Sequence, residues 1–248
     1  MRPSKARDGL ALCLGVVLLC SLVQAVGAAK GDVLIFPGLG EILRALWDML
    51  GDAKTWKMIG VTMRHVVTAM LISAAGGVML GLAMGLSRFV RQMMKPVMAL
   101  LRTIPMIVLI VVVMVLTSYD RVPVVASVLV LIPMIAEATS EGCQRIDREL
   151  LDVYRINSGL NLRVLWRVHL PLMSGYLSQA WVNASGMAVK LAVSAEYLVQ
   201  TKNSLGKVIN SEFYFGDFQD VYAYALIMIL LVLLLSELPL ALIRRLQK

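Results

Sequence analysis

Residues 141–171, EGCQRIDRELLDVYRINSGLNLRVLWRVHLP, decide how this chain is read. They form the longest polar break between hydrophobic runs in the second half of the sequence. Arg145, Arg148, Arg155, Arg163 and Arg167 alternate with Glu141, Asp147, Glu149 and Asp152. Leu151, Val153, Tyr154 and Ile156 mark one amphipathic helical segment, and Ser158-Gly159 breaks it. Leu162, Val164, Leu165, Trp166 and Val168 mark a second, which closes at Leu170-Pro171. Two short amphipathic helices joined by a turn suit docking onto another protein. A merely solvated loop needs neither the apolar stripe nor the tryptophan.

Working outward, the stretch hangs between membrane spans. The 248 residues are 59% hydrophobic with a mean hydropathy of +0.78. That is too apolar for a soluble domain and reads as an all-α polytopic membrane bundle, with no room for a large soluble domain. The net charge of +8 sits mainly in short flanks of apolar runs, where basic residues set topology. No basic patch interleaved with exposed aromatics points to nucleic acid. Cys13, Cys20 and Cys143 give neither a disulfide framework nor zinc spacing, and no metal site is expected.

Six spans are expected. Residues 9–29 follow Arg2, Lys5 and Arg7. A signal peptide has the same outline, but a run of about 20 apolar residues is long enough to cross, so a retained first helix is favoured. Residues 30–61 are read as an external loop containing a short interfacial helix, ILRALWDML, with Trp47 and Trp56 suited to the headgroup layer. The second span covers 62–86 and carries a small-residue ladder, Gly77, Gly81 and Gly85. His65, at its outer end, is read as an interfacial polar residue. Residues 87–96 are read as a basic internal loop. The third span, 97–117, is expected to kink near Pro105. Residues 118–122 make a tight external turn, and the fourth span is 123–140 with Pro133 inside it. The fifth span, 175–198, is the most polar. An external loop, 199–218, and a sixth span, 219–243, follow.

The basic residues orient this bundle. Inner segments hold 14 Lys and Arg, from Arg2 at one end to Lys248 at the other, and outer loops hold 7, from Lys30 to Lys207. The excess places both termini and the 141–171 loop in the cytoplasm.

The loop resembles the cytoplasmic motif of type I ABC importer inner-membrane permeases: Glu-Ala-Ala, three residues, Gly, nine residues, Ile, one residue, Leu-Pro. Here Asp152-Val153-Tyr154 stands at the start, Ser158 at the glycine position with Gly159 beside it, Val168 at the isoleucine position, and Leu170-Pro171 at the end. Leu101-Arg102-Thr103-Ile104-Pro105, Gly142 with Ile146-Asp147, Ala195-Glu196-Tyr197 and Ser204-Leu205-Gly206-Lys207-Val208-Ile209 are similar to the nitrate/sulfonate/taurine branch. The resemblance covers roughly residues 60–245. It implies a type I ABC importer permease fold in the bacterial inner membrane: residues 1–60 as a first helix plus external loop, and 61–248 as the permease core. It also implies a homodimer of this chain, two cytoplasmic ABC ATPase subunits carrying the ATP and Mg, and an external solute-binding protein. The chain itself would bind no cofactor and would not be an enzyme. Asp152, Ser158, Gly159, Trp166, Val168, Leu170 and Pro171 would couple it to the ATPase.

The residues agree with a borrowed energy source. Gly206-Lys207 lacks the upstream glycine and following Ser/Thr of a phosphate-binding loop. For the path itself, Lys190 is the basic residue deep in a span, where a charge costs about 3 kcal/mol even on a lenient scale. It is read either as an attraction point for a small anionic substrate or as a structural ion pair. Met187 and Ser194 share its face, and Glu196, roughly 240° away at ~100° per residue, is read as part of an outer gate. A membrane-embedded enzyme would need a clustered nucleophile and base, and neither HExxH nor GxSxG occurs. A secondary transporter or channel without an ATPase is the alternative; Pro105 and Pro133 suit it, but the double-helix loop has no part in it.

Overall fold

The computed structural model describes residues 37–146 and 169–246, together with Leu14, Gly15, Ser21 and Ile35, and side-chain surroundings as far as Glu237. The expected first span, 9–29, and the loop from Asp147 to Val168 lie outside the described residues. Regular structure among the described residues is entirely helical: α1 (Leu39–Gly51), α2 (Ala53–Leu86), α3 (Arg88–Thr103), α4 (Met106–Leu116), α5 (Val122–Gln144), α6 (Ser174–Val199), α7 (Leu205–Phe215) and α8 (Phe218–Leu246), with short turns at Tyr119–Arg121 and Leu170–Leu172. Contacts divide the chain into two compact units, Met1–Trp56 with Val208–Met228, and Lys57–Lys207 with Ile229–Lys248.

In the first unit, α1 is amphipathic. Ile42, Ala45 and Met49 are buried, while Leu39, Leu43 and Trp47 are exposed. The Glu41 carboxylate accepts from the Gly38 N–H at 2.9 Å, satisfying a donor left free at the helix start. The Trp56 indole donates to the Leu50 carbonyl at 2.9 Å, and Asp52 accepts from the Lys54 N–H at 3.0 Å, so the corner between α1 and α2 is fixed.

The second unit holds the bundle. Its main pairing is α5 with α6. Ala180, Ala184, Ala188, Ala192 and Ala195 line the buried side of α6, and their small side chains allow close approach. The glycine ladder of α2 closes on α5. A methyl group in place of the Gly81 hydrogen would lie 2.5 Å from the Ala136 carbonyl oxygen and from Thr139 Cβ. Gly77 meets Ile135 and Gly85 meets Cys143 in the same way.

Four sequence-based boundaries are corrected. α2 starts at Ala53, not 62, and its 34 residues run about 51 Å, well beyond the ~30 Å hydrocarbon core. Of residues 87–96, read as a loop, all after Ser87 are helical. Ser87 accepts from the Val90 N–H at 3.4 Å, and Arg91 reaches back to the Met84 and Gly85 carbonyls at 3.0 and 3.2 Å, satisfying the end of α2. The third span is not one kinked helix. Pro105 excludes Ile104 from helical geometry (ψ 125°), and α3 and α4 meet at 103°. Residues 205–215, read as external loop, form α7, whose start is capped by Ser204 accepting from the Lys207 N–H at 3.3 Å.

Among the described residues, α2, the stretch Tyr119–Gln144 and Phe218–Glu237 of α8 are long and apolar enough to cross a membrane, with α3–α4 as a fourth if the bent pair is one span. This is a multi-pass membrane protein.

Candidate functional site

Two features of α6 stand out, on opposite sides of one helix. The first is an exposed stripe. Gln179, Asn183, Met187, Lys190 and Ser194 follow one another at spacings of three and four residues, and all are exposed. The Gln179 amide donates to the Asn183 side-chain oxygen at 3.2 Å. A row of amide, ammonium and hydroxyl groups along a helix whose other face packs into α5 is costly against hydrocarbon. Met187, Lys190 and Ser194 are therefore brought together on one line. Lys190 has no ion-pair partner among the described residues.

The second feature is Glu196, which is fully buried and faces away from that stripe. Its Oε2 accepts from the Thr62 hydroxyl at 2.8 Å and from the Gly206 N–H at 3.2 Å. Its Oε1 lies 2.7 Å from His65 Nδ1, which donates in the tautomer that completes the set. Thr62 accepts in turn from the Leu205 N–H at 3.0 Å. One carboxylate thus ties α2, the end of α6 and the start of α7. The local chain is built to allow this. Gln200 leaves α6 in the left-handed region (φ 57°), and Asn203 repeats it (φ 54°), folding Ser204-Leu205-Gly206 back onto Glu196. Gly206 is obligatory: a Cβ there would sit 2.5 Å from Glu196 Cβ and from the Val193 carbonyl oxygen.

The structure therefore separates Glu196 from the other three residues assigned to the path. His65, read from the sequence as an interfacial polar residue, is instead buried and paired with Glu196, and nothing in the sequence marks Thr62 as a partner. The only available signal was a histidine three residues from a threonine, on one helical face, at the level of an acid in a distant helix.

Of the coupling residues, Asp152, Ser158, Gly159, Trp166 and Val168 lie outside the described residues. Leu170 packs against the cluster of Cys143, Ile146 and Met173, which anchors the end of the loop to α5, and Pro171 is exposed. In the first unit, an open cavity of about 670 Å³ is lined by Glu41, Asp48, Asp52 and Asp220 with Arg44 and Tyr224. Beside it on α7, burial pushes the Glu212 carboxyl above its usual range, helped by the negative charges of Asp220 and Asp217. Among the described residues no group of three or more His, Cys, Asp or Glu is arranged to hold a metal ion.

Residues 77–248, comprising the exposed stripe, the Glu196 clamp apart from Thr62 and His65, and the whole polar loop, match the family described as the binding-protein-dependent transport system inner membrane component. The chain belongs to this family. As an inner membrane component of that family, it is similar to transport permeases of several bacteria. It is 28% identical over 178 residues to the glycine betaine/carnitine transport permease of Listeria monocytogenes, covering 71% of this chain and 60% of that one. It is 27% identical over 136 residues to the glycine betaine/proline betaine transport system permease of Escherichia coli, covering 54% of this chain and 38% of that one. It is 24% identical over 220 residues to the E. coli taurine transport system permease, covering 86% and 78%. The chain thus spans 60% or less of the two glycine betaine permeases.

Proposed function

We propose that this chain is the membrane-spanning permease of an ATP-driven importer, with six spans and both termini cytoplasmic. Two copies face each other across the path, two ABC ATPase subunits bind the cytoplasmic stretch between α5 and α6, and an external solute-binding protein delivers the substrate. ATP and Mg belong to the ATPase. The observation that carries this reading is the exposed polar stripe of α6, which contains Lys190, in a chain of the binding-protein-dependent family.

The substrate is a small zwitterion with a carboxylate or sulfonate at one end. Glycine betaine and taurine, which name the relatives' transport systems, differ in anionic group but share that layout. An ammonium at depth attracts the anionic end of either, and selectivity between them falls to the binding protein. Sulfonate specificity alone has weaker support, because the taurine permease is the more distant of the two kinds of relative.

Copurification tests the assembly. The tagged chain brings down an ATP-hydrolysing subunit from its own membranes, and Asp152→Lys loses that subunit while the chain stays in the membrane. A chain that mediates uptake with no ATPase attached makes it a channel or secondary transporter instead.

A further inference from the structure

We propose that α3 lies along the bilayer surface and holds anionic phospholipid headgroups through Arg88 and Lys95. The inference rests on the geometry of α3 and on the chain spanning a membrane, not on the importer reading.

The sixteen residues RFVRQMMKPVMALLRT contain four basic residues and no acid. Their arrangement gives the helix three sides. Val90, Met94 and Met98 pack inward against Met84, Leu80 and Ala136. Phe89, Met93, Val97 and Leu100 form a second, exposed stripe, with Phe89 76% and Leu100 60% accessible. The cations occupy a third side: at ~100° per residue, Arg88, Arg91, Lys95 and Arg102 fall within one arc of about 60°. Two of them are already used. Arg91 is bound to the Met84 and Gly85 carbonyls and to Gln144, and Arg102 is paired with Glu137. Arg88 and Lys95 are exposed and have no ion-pair partner among the described residues.

The occupant follows from the neighbouring helix. α4 is apolar along its whole length, and Ile107, Val111 and Val115 are 65, 52 and 83% exposed, as a lipid-facing helix requires. α3 leaves it at 103°, so it cannot continue the same path through the bilayer. A helix turned along the surface, with one apolar stripe and a separate cationic side, matches acyl chains with the first and anionic headgroups with the second. Both α3 and α4 expose an apolar stripe, and one occupant, lipid, suits both. A protein partner would need a counter-charge for Arg88 and Lys95.

The test uses the full chain in nanodiscs of phosphatidylcholine with and without phosphatidylglycerol. A nitroxide label at Met93→Cys is expected to be reached by oxygen and shielded from a water-soluble nickel chelate. After detergent extraction, native mass spectrometry is expected to show phosphatidylglycerol retained over phosphatidylcholine. That preference falls about fivefold for Arg88→Gln or Lys95→Gln, and more for the pair, taking each surface cation at ~1 kcal/mol. Lys57→Gln, outside α3, leaves it unchanged. A label open to the nickel chelate places α3 in water and overturns the proposal. A label shielded from both reagents shows a second copy or another protein on the stripe, and also overturns it. Unchanged lipid preference in the double variant overturns the headgroup role.

Discussion

His65 Nδ1 lies 2.7 Å from Glu196 Oε1, with the two side chains 4% and 0% exposed and 131 positions apart in sequence. The contact closes α2 onto the end of α6, and the same carboxylate fixes the start of α7 through Gly206. A buried acid with its partners in place holds three segments at one point. With a partner removed, it becomes an unsatisfied buried group.

Glu196→Ala or His65→Ala is therefore expected to destabilise the protein in detergent by about 3–5 kcal/mol, the range for breaking a buried pair. Glu196→Gln keeps an acceptor for Thr62 and Gly206 and offers an N–H₂ to His65, so its cost is expected to be about 1 kcal/mol. Thermal unfolding of the single and double variants checks this. Additive losses from Glu196→Ala and His65→Ala contradict a direct coupling.

Glycines at two positions should behave oppositely. Gly206→Ala drives a methyl into the Val193 carbonyl oxygen and the Tyr197 N–H, both backbone atoms that cannot swing aside. A loss of more than about 3 kcal/mol, or no folded protein, is expected. Gly60→Ala, in α2 with nothing within 4 Å of the new methyl, should stabilise by about 0.5–1 kcal/mol. Expression level and melting temperature in detergent separate the two.

How far the sequence reveals this architecture depends on the kind of force involved. The glycine ladder of α2 and the apolar runs of α2, α5 and α8 are local patterns, and these appear among the described residues where hydropathy and spacing place them, α2 beginning nine residues earlier. Pro105 is legible as a break but not as a right-angle turn, because proline removes a hydrogen bond without fixing where the next helix goes. The basic run from Arg88 to Lys95 reads as loop, since charge outweighs periodicity in so short a window, yet Arg91 is the group that finishes α2. The clamp is the least legible. Lys190 and Glu196 are equally polar letters in one span, and only the fold turns the first outward and buries the second. Nothing local to His65 announces a carboxylate from the far end of the chain.

Glu212 supplies a pH test in the first unit. Its carboxyl is raised above the ordinary value of 4.5 by burial and by Asp220 and Asp217. A raised acid binds its proton more readily folded than unfolded. It therefore adds stability only when protonated, and that contribution fades as pH rises through the folded value. Glu212→Gln should be slightly more stable than the parent at neutral pH, and the advantage should vanish below the ordinary carboxylate range. The effect is small because the group is only partly buried and solvent screens it. Melting temperatures of both proteins across pH 4 to 8 check it, and an advantage for the parent at neutral pH contradicts the assignment.

The most direct test of the account is uptake and ATP hydrolysis measured in the same vesicles, with the chain, its ATPase and a loaded binding protein reconstituted together. Lys190→Met is predicted to lower uptake at least about tenfold, the equivalent of 1.4 kcal/mol, while the ATPase remains bound and active. Uptake equal to the parent's would contradict the placement of the exposed α6 stripe on the translocation path.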